Sequence, residues 1–401
     1  MHTTPTDEVR SERLEKFLAV DPQNMEILQD LALALEDEGK NERAIEVYQS
    51  LLKLDNRKTL ILNRLGLLYM KLGKWQQAIA TLSEAVEIAP DAAELVFNLG
   101  YAELTLGDFG NAQKHLEQAT KLAPDEANFY YYLALVYDEI GDENSFRQSL
   151  QRTLESDPDH HGARLMSVFS ALEHGELETA KQEVHRLLKR YPKSLEGLVL
   201  QAQLALMDFD AEKALHILRE TQSIAPNNAD VALALGQTYL MLQRVGQART
   251  VLEKAADINP ESYTVQISLG WAALLQDDLG AAESAFHKAI ELDNSEADAF
   301  SGIAIIRFGQ QRFPEAEKLT GEAIERNPNN VPAILVRTAL TRRAGDQKGA
   351  AEFGRELFES HCLGPFGWTT GDILKRFEAS STGKHVFKKL TRRIKHQQKR
   401  Y

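Results

Sequence analysis

One cysteine, Cys362, is all that 401 residues provide, so neither an internal disulfide nor a cysteine-rich zinc site can hold this chain together. Proline (12) and glycine (24) are too sparse for a collagen-like or linker-dominated chain. No stretch approaches the roughly 18 consecutive apolar residues of a membrane span. The opening MHTTPTDEVRSERLEKFLAV has neither the basic lead nor the apolar core of an export signal, which sets a cytoplasmic location as the expectation. Motifs of chemistry are missing too: there is no phosphate-cradling glycine loop, no His-Glu-x-x-His helix and no Gly-x-Ser-x-Gly elbow. The expectation is therefore a protein that is not an enzyme, with no cofactor, no small-molecule substrate and no catalytic or metal-binding residue. The one concentrated histidine feature, Asp157-Pro158-Asp159-His160-His161, reads as a surface turn, because adjacent side chains at a helix start diverge. Cys362, beside His361, lacks an activating helix start and reads as an ordinary thiol. With 43% hydrophobic residues, the chain has enough apolar surface to fold by packing alone.

What the sequence does have is a period. Prolines fall at Pro22, Pro90, Pro124, Pro158, Pro192, Pro226, Pro260 and Pro328, all on a 34-residue grid, and the two remaining grid points hold the turn formers Asn56 and Asn294. Setting that mark as the thirty-second position of a unit divides residues 25–364 into ten units without insertion. Apolar residues recur at helical spacing inside each unit, as at Ala78, Leu82 and Ala85, and a glycine separates two such runs, so each unit reads as a helical hairpin. Small residues occupy the eighth position (Ala32, Gly66, Gly100, Ala134) and the twentieth (Ala44, Ala78, Ala112), where two helices must approach closely. The turn glycine appears as Gly39, Gly73, Gly107, Gly141, Gly175 and Gly345. Units six to nine carry Phe209, Gln243, Asp277 and Gln311 there instead; a side chain at positive φ costs about 1 kcal/mol, so those turns are expected to differ. Phe146, Val168 and Thr338 stand where a small residue is usual, and altered packing is expected around them.

A 34-residue two-helix unit with these small residues, turn glycine and proline resembles the tetratricopeptide repeat, with residues 59–92 nearest the family pattern. The resemblance covers 340 of 401 residues. It implies an all-α, right-handed α-solenoid superhelix of about ten hairpins with capping helices at both ends. Residues 1–24, with Leu14, Phe17 and Leu18, read as an N-terminal half-repeat that covers one open end. Residues 365–379, with Trp368, Ile373, Leu374 and Phe377, read as a C-terminal capping helix.

The resemblance also implies a concave groove lined by the first helix of each unit, at positions two, five, nine, twelve and thirteen. Those positions hold Phe97 and Tyr101, then Tyr131, then Phe169, then Leu240, then Ile267, Trp271 and Leu274, then Ile305 and Phe308. At the thirteenth position, units six to eight place Met207, Met241 and Leu275 where a solvated site would be polar, and methionine suits surfaces that accept varied partners. The carboxylate-clamp pattern of chaperone-binding members is absent: Asn63 and Asn98 come close, but Leu67 and Tyr132 occupy the places of the remaining groups. The asparagine ladder of glycosyltransferase-associated members is absent as well.

Charge divides unevenly. No acidic residue follows Glu378, whereas Lys384, Lys388, Lys389, Arg392, Arg393, Lys395, Lys399 and Arg400 do; without them the formal charge of −13 becomes −21. Val386, Phe387, Leu390 and Ile394 fall on one helical face, so residues 380–401 read as a basic amphipathic tail. The functional expectation is an interaction scaffold that holds a peptide or partner helix of another protein in the groove. One alternative is an adaptor whose tail docks on an anionic membrane or nucleic acid; another is a regulatory subunit of a separate enzyme.

Overall fold

The structure is a computed structural model that describes residues 10–54 and 58–359. Every regular element among the described residues is an α-helix, and no strand occurs. The chain divides into two compact units, residues 1–163 and 164–401. The first holds α1 (Arg10–Leu18), α2 (Met25–Asp37), α3 (Asn41–Leu54), α4 (Lys58–Lys71), α5 (Trp75–Ile88), α6 (Ala93–Leu106), α7 (Phe109–Leu122), α8 (Ala127–Glu139) and α9 (Glu143–Ser156). The boundary falls in the first turn of α10 (His161–Glu173). The second continues with α11 (Leu177–Arg190), α12 (Leu195–Met207), α13 (Ala211–Ile224), α14 (Ala229–Met241), α15 (Val245–Ile258) and α16 (Tyr263–Leu274). It ends with α17 (Leu279–Leu292), α18 (Asp298–Gly309), α19 (Phe313–Arg326), α20 (Val331–Arg343) and α21 (Gln347–Glu359). Consecutive helices pack as antiparallel hairpins, and consecutive hairpins stack, so each unit is an all-α solenoid segment. No helix among the described residues is long and apolar enough to cross a membrane.

Short polar side chains start these helices. Asn24, Ser194, Asn228, Ser262 and Asn330 cap first helices by accepting a backbone N–H three residues on, and Asp108, Asp142, Asp210 and Asp278 do the same for second helices. The turns within the hairpins close alike in all ten units. In each, the N–H one residue beyond the turn bonds to the carbonyl five residues back, from Lys40 to Leu35 (2.8 Å) through Asp346 to Thr341 (3.2 Å).

That closure corrects one expectation. Phe209, Gln243, Asp277 and Gln311 do not make different turns; they sit at φ of 57–63°, in the same left-handed region as Gly73 at 68°. The closing bond requires the conformation whatever side chain is present, and a capped helix end offsets a strain of about 1 kcal/mol.

Packing inside the hairpins follows a knob-and-socket rule. A Cβ built on Gly66 would lie 2.5 Å from Leu82, one on Gly100 2.8 Å from Leu116, and one on Gly236 2.5 Å from Leu252. Each leucine is fully buried, so the missing methyl group is what admits it. In the eighth hairpin the knob is Phe286, and its ring needs two sockets: a Cβ on Gly270 and one on Gly302 would each come within 2.5 Å of it. Where the eighth position holds Val168, the facing knob is the smaller Val184, and both are buried together in one cluster. Phe146 is buried and Thr338 partly buried, its hydroxyl turned back onto the Ile334 carbonyl at 2.8 Å.

Helix α1 lies against α2, with Leu14 and Leu18 packed on the core and Phe17 exposed. A polar latch fixes it: buried Ser11 donates its N–H (3.0 Å) and hydroxyl (2.6 Å) to Glu38, which also pairs with Lys40 at 2.9 Å. The Ser11 hydroxyl bond, with lesser help from Lys40, draws the Glu38 carboxyl down to about 2. The expected C-terminal cap and the basic tail lie outside the described residues, as do His361 and Cys362.

Candidate binding surface on the first helices

In the first unit, the inner positions of α6 and α8 carry an aromatic tier. Phe97 and Tyr101, one helical turn apart on α6, are nearly parallel (11°) with centroids 6.4 Å apart. Tyr132 of α8 meets Tyr101 edge-on at 4.9 Å and Phe97 at 5.4 Å, and Tyr131 meets Tyr132 at 5.4 Å. Trp75, at the start of α5, extends the tier at 6.4 Å from Tyr101, while buried Phe129 stacks beneath Phe97 at 4.5 Å. The rings of Trp75, Phe97, Tyr101, Tyr131 and Tyr132 are all half-buried. Burial pushes the hydroxyls of Tyr131 and Tyr132 above their ordinary range, and at Tyr132 the neighbouring Tyr101 and Tyr131 add to it. These phenols stay neutral at physiological pH.

Asp157–His160 form the turn between α9 and α10, with Pro158 and Asp159 exposed, and His160 borders the tier at 4.6 Å from Tyr131. Its Nδ1 accepts the Ala163 N–H at 3.1 Å, so Nε2 carries the proton and donates to Asn128 Oδ1 at 3.1 Å. Histidine thus acts as the cap of α10, and burial holds it below its ordinary value of 6.5. No group of three or more metal-ligating side chains occurs among the described residues.

Two further features line the same wall. Asn98 donates to Asn63 at 3.2 Å, joining α6 to α4. A recess of about 100 Å³ between α2, α3 and α4 is walled by Leu33, Leu51, Leu60 and Ile61, with Gln29, Tyr48 and Arg64 as its polar groups. Leu60 in its wall is exposed, as is Leu67 two turns further along α4.

In the second unit the wall mixes methionine and leucine with isolated aromatic rings. Phe169 of α10 is 46% exposed, Met241 at the end of α14 39%, and Leu275, which caps α16, 62%. Met207 is half-buried against the cluster of Val168, Leu200 and Leu204, and Leu240 and Leu274 are half-buried beside Met241 and Leu275. Trp271 is half-buried with its edge on Phe286 at 5.3 Å. Ile305 and Phe308 are half-buried, Phe308 contacting Phe313 at 5.6 Å. Ile267 is a correction: at 7% exposure it belongs to the core cluster with Phe286, Ala299 and Ile303, because the fifth position here is covered by the next first helix, α18.

Sequence reasoning did not place Trp75, Tyr132 or His160 in the surface. Tyr132 carries a signal in the Tyr130-Tyr131-Tyr132 run, but it stands at the sixth position, outside the positions that the family resemblance assigns to the groove.

Comparison with known proteins agrees with the geometry. Tetratricopeptide repeat models match residues 58–125, 205–266, and 97–161 with 267–332, and a TPR repeat model matches 33–73. Among solved structures, a tetratricopeptide repeat protein from Parabacteroides merdae ATCC 43184 is 18% identical with a TM-score of 0.51, over 59% of this chain and 94% of that one. The human IFIT1 dimer with m7Gppp-AAAA is 14% identical at a TM-score of 0.48, over 87% and 94%. Pseudomonas aeruginosa pilF is 20% identical at 0.42, over 49% and 90%. No curated protein sequence is significantly similar. The 34-residue register, the identical turn closure of ten hairpins and the matching family models agree, and this chain belongs to the tetratricopeptide repeat family.

Proposed function

We propose that this protein is a non-enzymatic interaction scaffold that holds a peptide or partner helix against the inner positions of its first helices. The observation that supports this reading is the exposure of Met241 and Leu275 at the thirteenth position of successive repeats, with Leu240 and Leu274 half-buried next to them. A helix end whose only task is to meet water has no use for such side chains, whereas an amphipathic helix or extended peptide covers them favourably, by about 25 cal/mol per Å² of apolar surface removed from water. Methionine and leucine at these sites supply shape without charge, which suits a groove that takes more than one sequence.

The test is affinity capture with the wild type and with a Met207→Glu, Met241→Glu, Leu275→Glu variant whose helicity and melting curve match the wild type. Selective loss of particular captured proteins is the expected result; an unchanged capture profile overturns the reading. The charge division carries a second reading, an adaptor tethered through Lys384–Arg400. Flotation on anionic vesicles and an RNA shift assay, with and without residues 384–401, check it: loss of both interactions with the tail supports tethering, and no interaction of the intact chain refutes it.

A further inference from the structure

The first unit gathers its aromatic rings into one contiguous, tyrosine-rich tier, and the frame of charge around that tier narrows what it can hold. Neither α6 nor α8 contains a lysine or arginine. They carry exposed Glu94 one turn before Phe97, and exposed Asp138 and Glu139 two turns after Tyr131 and Tyr132, while exposed Asp125 and Glu126 lie in the turn between α7 and α8. Glu103 of α6 is buried and paired with His115 at 2.7 Å, so it takes no part in that frame. The nearest cations in sequence, Lys114 and Lys121, belong to α7, the second helix of the hairpin, where Lys121 pairs with Glu117 at 3.8 Å, and Lys71 and Lys74 precede Trp75.

A polyanion meets carboxylates here and is repelled. A proline-rich segment could lie on the rings but would leave the carboxylates unused. An ammonium group satisfies the carboxylates but is a compact, strongly hydrated charge. A guanidinium uses both parts of the surface: its plane stacks on a ring face while its N–H groups reach carboxylates in a fork. Resting on the reading that these walls bind polypeptide, we infer that the Phe97–Tyr101–Tyr131–Tyr132 tier is a docking site for an extended, arginine-containing segment of a partner protein. Tyr101 and Tyr132 provide the stacking faces, and Glu94 and Glu139 close the two ends.

The experiment uses the full chain and fluorescence anisotropy with fluorescein-labelled octa-arginine and octa-lysine. Octa-arginine is expected to bind at least five-fold tighter than octa-lysine at equal charge. Tyr101→Leu with Tyr132→Leu, which keeps apolar bulk but removes the ring faces, should weaken octa-arginine at least ten-fold and octa-lysine less than two-fold. Tyr101→Phe with Tyr132→Phe should keep the wild-type affinity. Because the leucine pair could disturb packing, Glu94→Gln with Glu139→Gln, two exposed changes, provides an independent arm and should weaken both peptides. Equal affinity for the two peptides, or full octa-arginine affinity in the leucine pair, overturns the inference and leaves only attraction to an acidic body. Tighter binding of octaproline or of oligouridine also overturns it. None of these outcomes touches the Met207, Met241 and Leu275 surface, so the two readings fail separately.

Discussion

Replacing Gly302 by alanine tests whether the knob-and-socket rule sets the identity of residues that lie 16 apart in different hairpins. Gly302 is inside α18, where alanine is favoured over glycine by about 1 kcal/mol when nothing else changes. Here something else does: the new Cβ would sit 2.5 Å from Phe286 Cζ and 2.6 Å from Cε2, about 1 Å inside ordinary carbon contact. The ring cannot retreat, because it is fully buried and Gly270 holds its other edge at the same 2.5 Å limit. Overpacking of this kind costs about 1–3 kcal/mol, and with both edges blocked the upper half of that range applies, so Gly302→Ala should lose about 1–2 kcal/mol net. Phe286→Leu restores the knob found at Leu82, Leu116 and Leu252 and by itself loses roughly 1–2 kcal/mol of buried ring contacts. In that background the alanine meets space, and its helix preference returns as a gain of up to about 1 kcal/mol. The coupling between the two sites should therefore be about 2–3 kcal/mol. Repeat arrays lose two-state behaviour, so the measurement is native-state hydrogen exchange of amides in α17 and α18, with urea melts of the full chain as a check. If Gly302→Ala costs the same in both backgrounds, the glycine is not there for the ring and the packing argument fails.

Three more outcomes are expected. Gln243→Gly and Gln311→Gly should each stabilise by about 0.5 kcal/mol, the relief of left-handed strain less the entropy glycine loses on folding, whereas Gly73→Ala should lose about 1 kcal/mol; urea midpoints report both signs. Ser11→Ala should release α1, seen as faster amide exchange there. The Glu38 contribution is whole above its ordinary value of 4.5 and should vanish as pH falls through about 2, followed by NMR titration of the carboxyl. His160 is held below 6.5 mainly by burial, opposed by Asp157 and assisted by His161, so the unfolded chain binds its proton first and stability should fall as pH drops below 6.5. His160→Asn, which keeps a capping acceptor, should flatten that slope in thermal melts between pH 7 and 5.

Much of the fold could be read before any coordinates, because the register is repeated ten times and each repeat reports the same close contacts. Small residues at positions eight and twenty mark where backbones approach, and the buried leucines at position twenty-four are the knobs that require them. What could not be read depends on interactions that one position does not reveal. The four left-handed turns without glycine are held by a backbone hydrogen bond that leaves no trace in side-chain identity. His160 reads as part of a surface turn, and nothing in the sequence shows that its Nδ1 takes the Ala163 N–H and caps α10. Ile267 has the position number of a groove residue, yet its exposure is decided by Ala299 and Ile303 of α18, the first helix of the next repeat.

The same logic separates architecture from recognition. Positions that face the partner helix within a hairpin stay within what the facing knob allows, Gly or Ala with Leu, Val with Val, two glycines with Phe, because dense packing penalises unmatched volume. Several inner-wall positions escape that constraint, and there the side chains differ, with tyrosines framed by carboxylates on α6 and α8 and with methionine and leucine at the ends of α12, α14 and α16, accompanied by Phe169, Trp271 and Phe308. Residues fixed by a close contact report the fold, and the residues that none fixes are where the two proposed contacts, apolar on α14 and α16 and cationic on α6 and α8, are tested separately.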